Sequence, residues 1–294
     1  MAYRNIIFSF LFISISSWAQ VRYIDYPSPF HSKIGKSGMV VSQNQASSNI
    51  GVEILNMGGN AIDAAVAVGF SLAITLPRAG NLGGGGFMLI YLSDEKRTIA
   101  VDFRSAAPGN LTEKDFLFLK KNYDQRRYGY KASAVPGTVA GLLETHKRYG
   151  KLSLKQILHP VISQAKKGIY VSYDLNQAIG SADQIKLDDE SKNIYYQNDV
   201  PLMENKLVKR TDLAWTLNEI ANNGQEAFYS GSISKKIVKA MKQNNGYISA
   251  EDLKNYKPRF SEPIHTTYRN YKIFAHPPPA GGAAVLLEGL NIIE

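Results

Sequence analysis

Pro77-Arg78-Ala79-Gly80-Asn81-Leu82-Gly83-Gly84-Gly85-Gly86-Phe87-Met88 leads through an apolar run to Val101-Asp102-Phe103-Arg104-Ser105-Ala106-Ala107-Pro108. Four consecutive glycines remove every Cβ from this backbone, so it can take positive φ and approach another chain or a ligand closely. A flexible connector or a tight strand entry is the plain alternative for any glycine run. Phosphate loops are excluded by context. Phe87-Met88 stand where a P-loop needs Lys followed by Ser or Thr, and the run follows a helix-like segment and opens a strand, the reverse of a dinucleotide fingerprint.

Upstream, Ile50, Ile54, Leu55 and Met57 form a helical stripe over 47–57, and Gly58-Gly59 stop it. Asn60 is placed to cap a second helix, with Asp63 in its first turn favouring the dipole. From Ala61 to Ile74 that helix is apolar nearly all round, which predicts burial between layers, and Pro77 ends it. Downstream, 87–92 and 97–103 read as strands joined by the polar turn Ser93-Asp94-Glu95-Lys96. Arg104 therefore stands where a strand leaves its sheet, a place where rigid scaffolds present binding groups. Its guanidinium has two readings at this point. It is a strand-end cation paired with Asp102 or Glu113, or it grips a ligand carboxylate through two charge-assisted bonds that a lysine cannot reproduce.

Further along, Val139, Leu142, Leu143 and His146 make a stripe ending near Gly150, and Leu154, Ile157, Leu158, Val161, Ile162 and Ala165 make another ending at Gly168. Helices are also expected from Thr211-Asp212 to Asn222 and over 232–244. His146 and His159 read as helix-surface or core-edge residues, and the five histidines are too scattered for a zinc signature. The Asp-rich stretch 183–200 lacks calcium-loop spacing and reads as a solvated loop. Thr266-Thr267 read as strand residues of a hairpin turning at Arg269-Asn270. The whole is an α/β pattern.

At 294 residues and 44% hydrophobic content the chain can bury a sizeable core. Its net charge of +9 is spread out, with only short pairs such as Arg126-Arg127 and Lys166-Lys167, so a solvated basic surface is expected and not a nucleic-acid partner. Arg4, the apolar run Ile6 to Ile15 and Ser17-Trp18-Ala19 have the layout of a secretory signal over residues 1–20, too short to be a stable membrane span. With no cysteine there is neither a lipid-anchor acceptor nor a disulfide framework. The expectation is an exported protein, periplasmic or secreted, whose working region is 21–294.

Taken together with Gly38-Met39-Val40-Val41-Ser42, Gly58 to Ala67, Val135-Pro136-Gly137-Thr138-Val139-Ala140-Gly141 and Tyr268-Arg269 through Pro277-Pro278-Pro279-Ala280-Gly281-Gly282, the glycine loop and Arg104 stretch resemble the large subunit of the γ-glutamyltransferases, also called γ-glutamyltranspeptidases or glutathione hydrolases. The match in order and spacing runs along nearly all of 30–294. It implies an N-terminal nucleophile hydrolase of αββα layered type that cleaves glutathione and other γ-glutamyl amides. Its partners would be such a small-molecule substrate and a small subunit cut from the same precursor. No metal or organic cofactor is implied. Arg104 matches the arginine that binds the substrate α-carboxylate in that family. The family commonly places a glutamate directly after this arginine, and Ser105 stands here, so a less rigidly oriented Arg104 is expected.

The family's nucleophile is a threonine freed by self-cleavage, whose hydroxyl attacks the amide while its own amine acts as base. It lies well downstream of the triple-proline motif, whereas Thr266-Thr267 lie ahead of Pro277, so no catalytic residue is expected within this chain. The run 283–294, with Val285, Leu286, Leu287, Leu290, Ile292 and Ile293, reads as an apolar helix that needs a partner to bury against. The expectation is a large-subunit region truncated at its C-terminus. Two alternatives accompany it: a related amide acylase of the same superfamily, and an inactive remnant or binding module that keeps Arg104.

Overall fold

Asn44 and Asn60 begin the fold by capping two consecutive helices in a computed structural model that describes residues 34–294; the signal-like stretch 1–20 lies outside the described residues. The Asn44 side chain accepts from Ala46 and Ser47 N–H at the start of α1 (Gln45–Asn56), and Gly58, at φ 86°, turns the chain out of it. Asn60 then caps α2 (Ala61–Thr75) in a reciprocal capping box with Asp63. As its composition demands, α2 is buried nearly all round: Val66, Ala67 and Phe70 have no exposed surface, and the helix packs against α1.

The glycine loop follows, and then the hairpin β1 (Phe87–Leu92) and β2 (Arg97–Asp102), with Lys96 at φ 49° closing its turn. Along β1, Met88, Ile90 and Leu92 point inward while Phe87, Leu89 and Tyr91 are exposed, the period-two alternation of a sheet covered on one face. Residues 109–134, for which the sequence reading expects no helix or strand, hold α3 (Glu113–Lys121), opened by a capping box on Thr112, and the short α4 (Tyr123–Arg127).

The two expected stripes become α5 (Thr138–Tyr149) and α6 (Leu154–Lys167), both packed against α2. Ser47, Ser71 and Thr75 share hydroxyl hydrogen bonds of 2.7 Å, and Ser71 donates to Gln164 of α6 at 2.7 Å. This buried polar network is satisfied throughout, so it fixes the register of α1, α2 and α6 without orphaned groups.

Beyond β3 (Ile169–Tyr170) and α7 (Tyr173–Gly180), the Asp-rich stretch departs from the solvated loop expected of it. After a 3₁₀ turn it forms α8 (Asp189–Tyr195) and a hairpin of β4 (Tyr196–Gln197) and β5 (Val200–Pro201). Local chemistry explains the correction. Asp188 accepts from Ser191 N–H as an N-cap, Asn198 and Asp199 supply the positive φ of a two-residue turn, and buried Tyr196 donates to the Ile179 carbonyl at 3.0 Å.

The chain continues through β6 (Leu207–Val208), paired with β3, into α9 (Thr211–Tyr229), broken at Gly224 by φ 62° and packed along α6. Then come α10 (Ser232–Gln243), α11 (Ala250–Asn255) and the three-residue β7 (Arg259–Ser261), which pairs with β2. The resulting sheet is antiparallel in the order β1-β2-β7, so β2 is central. The expected hairpin is present as β8 (Ile264–Tyr268) and β9 (Tyr271–Ala275), with Arg269 and Asn270 both at positive φ, and α12 (Gly281–Ile293) packs on it. Residues Gly38–Glu294 form one unit.

Candidate functional site

Arg104 sits just past the end of the central strand, and its backbone is held from both sides. The carboxylate of Asp102 accepts its N–H at 2.9 Å, and the Tyr256 hydroxyl donates to its carbonyl at 2.8 Å. Burial, with the nearby Asp102 charge, pushes the Tyr256 hydroxyl up to about 12, so it is a neutral donor at physiological pH. Tyr256 stacks on Tyr229, whose buried hydroxyl accepts from Ala140 N–H at 3.1 Å and donates to the Pro136 carbonyl at 2.8 Å.

The glycine loop meets this clamp directly. Gly86 and Phe103 exchange backbone hydrogen bonds of 3.0 and 3.3 Å. A Cβ on Gly85 would stand 2.7 Å from the Phe103 carbonyl, and one on Gly86 2.8 Å from the Phe103 ring. Gly137 and Gly141 press on Phe103 from the α5 side in the same way. None of Gly83 to Gly86 lies in the left-handed region, so the loop uses its missing side chains for close approach and not for the positive φ that glycines permit. Its Gly84 carbonyl accepts from both Gly137 and Thr138 N–H, at 2.8 and 3.1 Å, which occupies the first donors of α5. This helix start is engaged with protein groups.

Neither ion pair open to Arg104 in the sequence is formed. Asp102 instead bonds Arg259 at 2.6 Å, and the Arg104 guanidinium has no hydrogen-bond or ion-pair partner among the described residues. It lines a cavity of about 550 Å³ together with Asp102, Ser105, Tyr256, Lys257, Arg259 and Pro279. Three cations against one carboxylate give this cavity a net positive lining, the sign that favours an anion. A larger cavity of about 830 Å³, between Asp124–Ser133 and Gln184–Asp188, carries Asp124 and Asp188 and no Lys or Arg, the wrong sign for a carboxylate.

The remaining expectations fall away from this site. Thr266 is half-buried in β8 with its hydroxyl donating to Asn291 of α12, and Thr267 is exposed beside it. His146 is a core-edge residue, 2.9 Å from the Leu152 carbonyl and 3.5 Å from Asp63, and His159 is exposed. Tyr256 and Arg259, which complete the site, were missed by the sequence reading. A clue lay only in the β-favouring residues after α11, too few to mark a strand.

The same architecture is found in solved enzymes. The γ-glutamyltranspeptidase of Helicobacter pylori matches with a TM-score of 0.84 at 38% identity, over 90% of this chain and 76% of that one. A cephalosporin acylase from Bacillus halodurans matches with a TM-score of 0.82 at 29% identity, over 92% of this chain and 52% of that one. The fold class is thus the α/β layering of the N-terminal nucleophile hydrolases. More narrowly, the chain belongs to the γ-glutamyltranspeptidase family, whose sequence model matches residues 47–294. The glutathione hydrolase proenzyme of Escherichia coli (strain K12) is 39% identical over 269 residues, which are 90% of this chain and 46% of that protein. The chain spans about half the length of the curated relatives it matches.

Proposed function

We propose that this chain is the substrate-holding region of an exported γ-glutamyltransferase that hydrolyses or transfers the γ-glutamyl group of glutathione and related amides. The observation that carries the reading is the Arg104 guanidinium, without a partner among the described residues, on a backbone clamped at both of its peptide groups inside a cationic cavity. A planar fork presented this way suits the α-carboxylate of a γ-glutamyl donor, which it would grip through two parallel N–H···O bonds. Pre-setting the backbone lowers the ordering cost of binding and fixes where the scissile amide lies.

In this reading the nucleophilic threonine belongs to a small subunit cut from the same precursor, beyond residue 294. Its hydroxyl attacks the γ-carbonyl, its own amine takes the proton, and the leaving amine departs protonated. Water or an acceptor amine then releases the glutamyl group from the ester. Relatives named as proenzymes support the precursor arrangement. The signal-like layout of residues 1–20 supports export to a periplasm or the exterior, and among the described residues no helix is long and apolar enough to cross a membrane.

The test is kinetic, in the full-length precursor with a chromogenic γ-glutamyl anilide. Arg104→Lys is expected to raise KM about tenfold or more with kcat little changed, because it loses the bidentate geometry and keeps the charge. Unchanged kinetics would remove Arg104 from the site. The acylase reading, favoured by the likeness to cephalosporin acylase, predicts instead that an amide whose acyl group lacks an α-carboxylate is cleaved at least as well.

A further inference from the structure

Among the described residues the Arg104 guanidinium has no partner, in a cavity that also contains a carboxylate, and this requires a cause. The Asp102 side chain is only 9% exposed, so its charge is poorly hydrated and needs a cation. Arg104 lies two residues away and lines the same cavity. Left alone with Asp102, its guanidinium would satisfy that carboxylate and be lost to a ligand. Arg259 prevents this. It is the direct cross-strand partner of Asp102, and its guanidinium takes one carboxylate oxygen at 2.6 Å while the other accepts the Arg104 backbone N–H at 2.9 Å. Both oxygens of Asp102 are therefore engaged by groups other than the Arg104 side chain. Arg259 itself is 74% exposed, so its position owes little to packing.

We propose that Arg259 is a positioning residue that neutralises Asp102 and thereby keeps the Arg104 guanidinium available for a substrate carboxylate. The role is electrostatic and acts in two ways: it removes an intramolecular competitor for Arg104, and it cancels a negative charge that would repel an anionic ligand entering the cavity. This inference rests on the reading of Arg104 as the carboxylate-binding group.

The test uses the full-length precursor and KM and kcat for a γ-glutamyl donor. Arg259→Met is expected to raise KM about tenfold, the scale of an uncompensated like charge a few ångströms from the ligand, with kcat within about twofold. Arg259→Lys, which restores the charge, is expected to stay near the parent. The discriminating variant is the double substitution D102N/R259M. Its amide oxygen still accepts the Arg104 N–H while the competing charge is gone, so KM is expected to return to within about threefold of the parent. A purely structural role of the Asp102–Arg259 pair would leave the double variant as impaired as Arg259→Met, and that result overturns the proposal. An unchanged KM in Arg259→Met also overturns it. Arg104→Ala run in parallel separates the two readings: if it alone raises KM, only the role of Arg259 falls, and if it does not, the assignment of Arg104 falls first.

Discussion

α2 and α12 are apolar helices of similar length with opposite fates. Along α2, ten of fifteen residues are buried and Phe70 has no exposed surface; along α12, Leu287 alone is buried, while Val285, Leu286, Ile292 and Ile293 are each at least half exposed. Composition decides that a helix seeks cover. Whether it finds cover depends on neighbours, and α2 packs against α1, α5 and α6 where α12 packs chiefly on the β8–β9 hairpin. Apolarity in a sequence therefore states a demand, and burial in the fold shows which demands the described residues meet.

The largest expected effect tests the contrast directly. Phe70→Ala in α2 is expected to destabilise the protein by about 3–5 kcal/mol through lost burial and a residual cavity, whereas Ile292→Ala in α12 is expected to cost under about 0.5 kcal/mol in this chain, both read from chemical unfolding. Comparable losses would show that α12 is covered after all. A somewhat smaller effect is expected where α2 begins. Asp63, fully buried, accepts from Asn60 N–H at 2.9 Å, from Lys151 N–H at 3.0 and 3.1 Å, and from Leu152 N–H at 3.2 Å. Asp63→Ala leaves these donors unsatisfied, and a loss of about 2–4 kcal/mol is expected; a loss below 1 kcal/mol, roughly the worth of a simple cap, would mean that water replaces the carboxylate.

Half-buried Tyr256 lies between the two helices in exposure, and its effect is the smallest. Its hydroxyl is raised from 10.0 to about 12, so its stabilising contribution is whole below pH 10 and is lost as pH rises through about 12. Tyr256→Phe is expected to lose stability less steeply than the parent between those limits, as followed by urea midpoints at stepped pH. Parallel curves would separate the Tyr256 hydroxyl from the Arg104 carbonyl it is bonded to.

Much of the fold was legible because its signals are local. Asn60, Asp63 and Pro77 bound α2 within one stretch of chain, and Arg269-Asn270 announce a two-residue turn between alternating strands. The strand exit at Arg104 could be read in the same way. What surrounds Arg104 could not: Tyr256 reaches it across 152 positions and Arg259 reaches Asp102 across 157, through a three-residue strand with too few residues to show a period. Asp63 shows the same limit. Its helix-capping role was readable from its neighbours, but its grip on Lys151 and Leu152, 88 and 89 residues on, was not.

The Gly84 carbonyl, which takes the N–H groups of Gly137 and Thr138 where α5 begins, joins the loop to that helix by backbone alone. Because no side chain mediates the joint, substitution of the cavity-lining residues leaves it in place. Exchange of Ser105 or Lys257, which line the cavity but form neither bond to the Arg104 backbone, is thus expected to alter the lining while the loop keeps its spacing from α5.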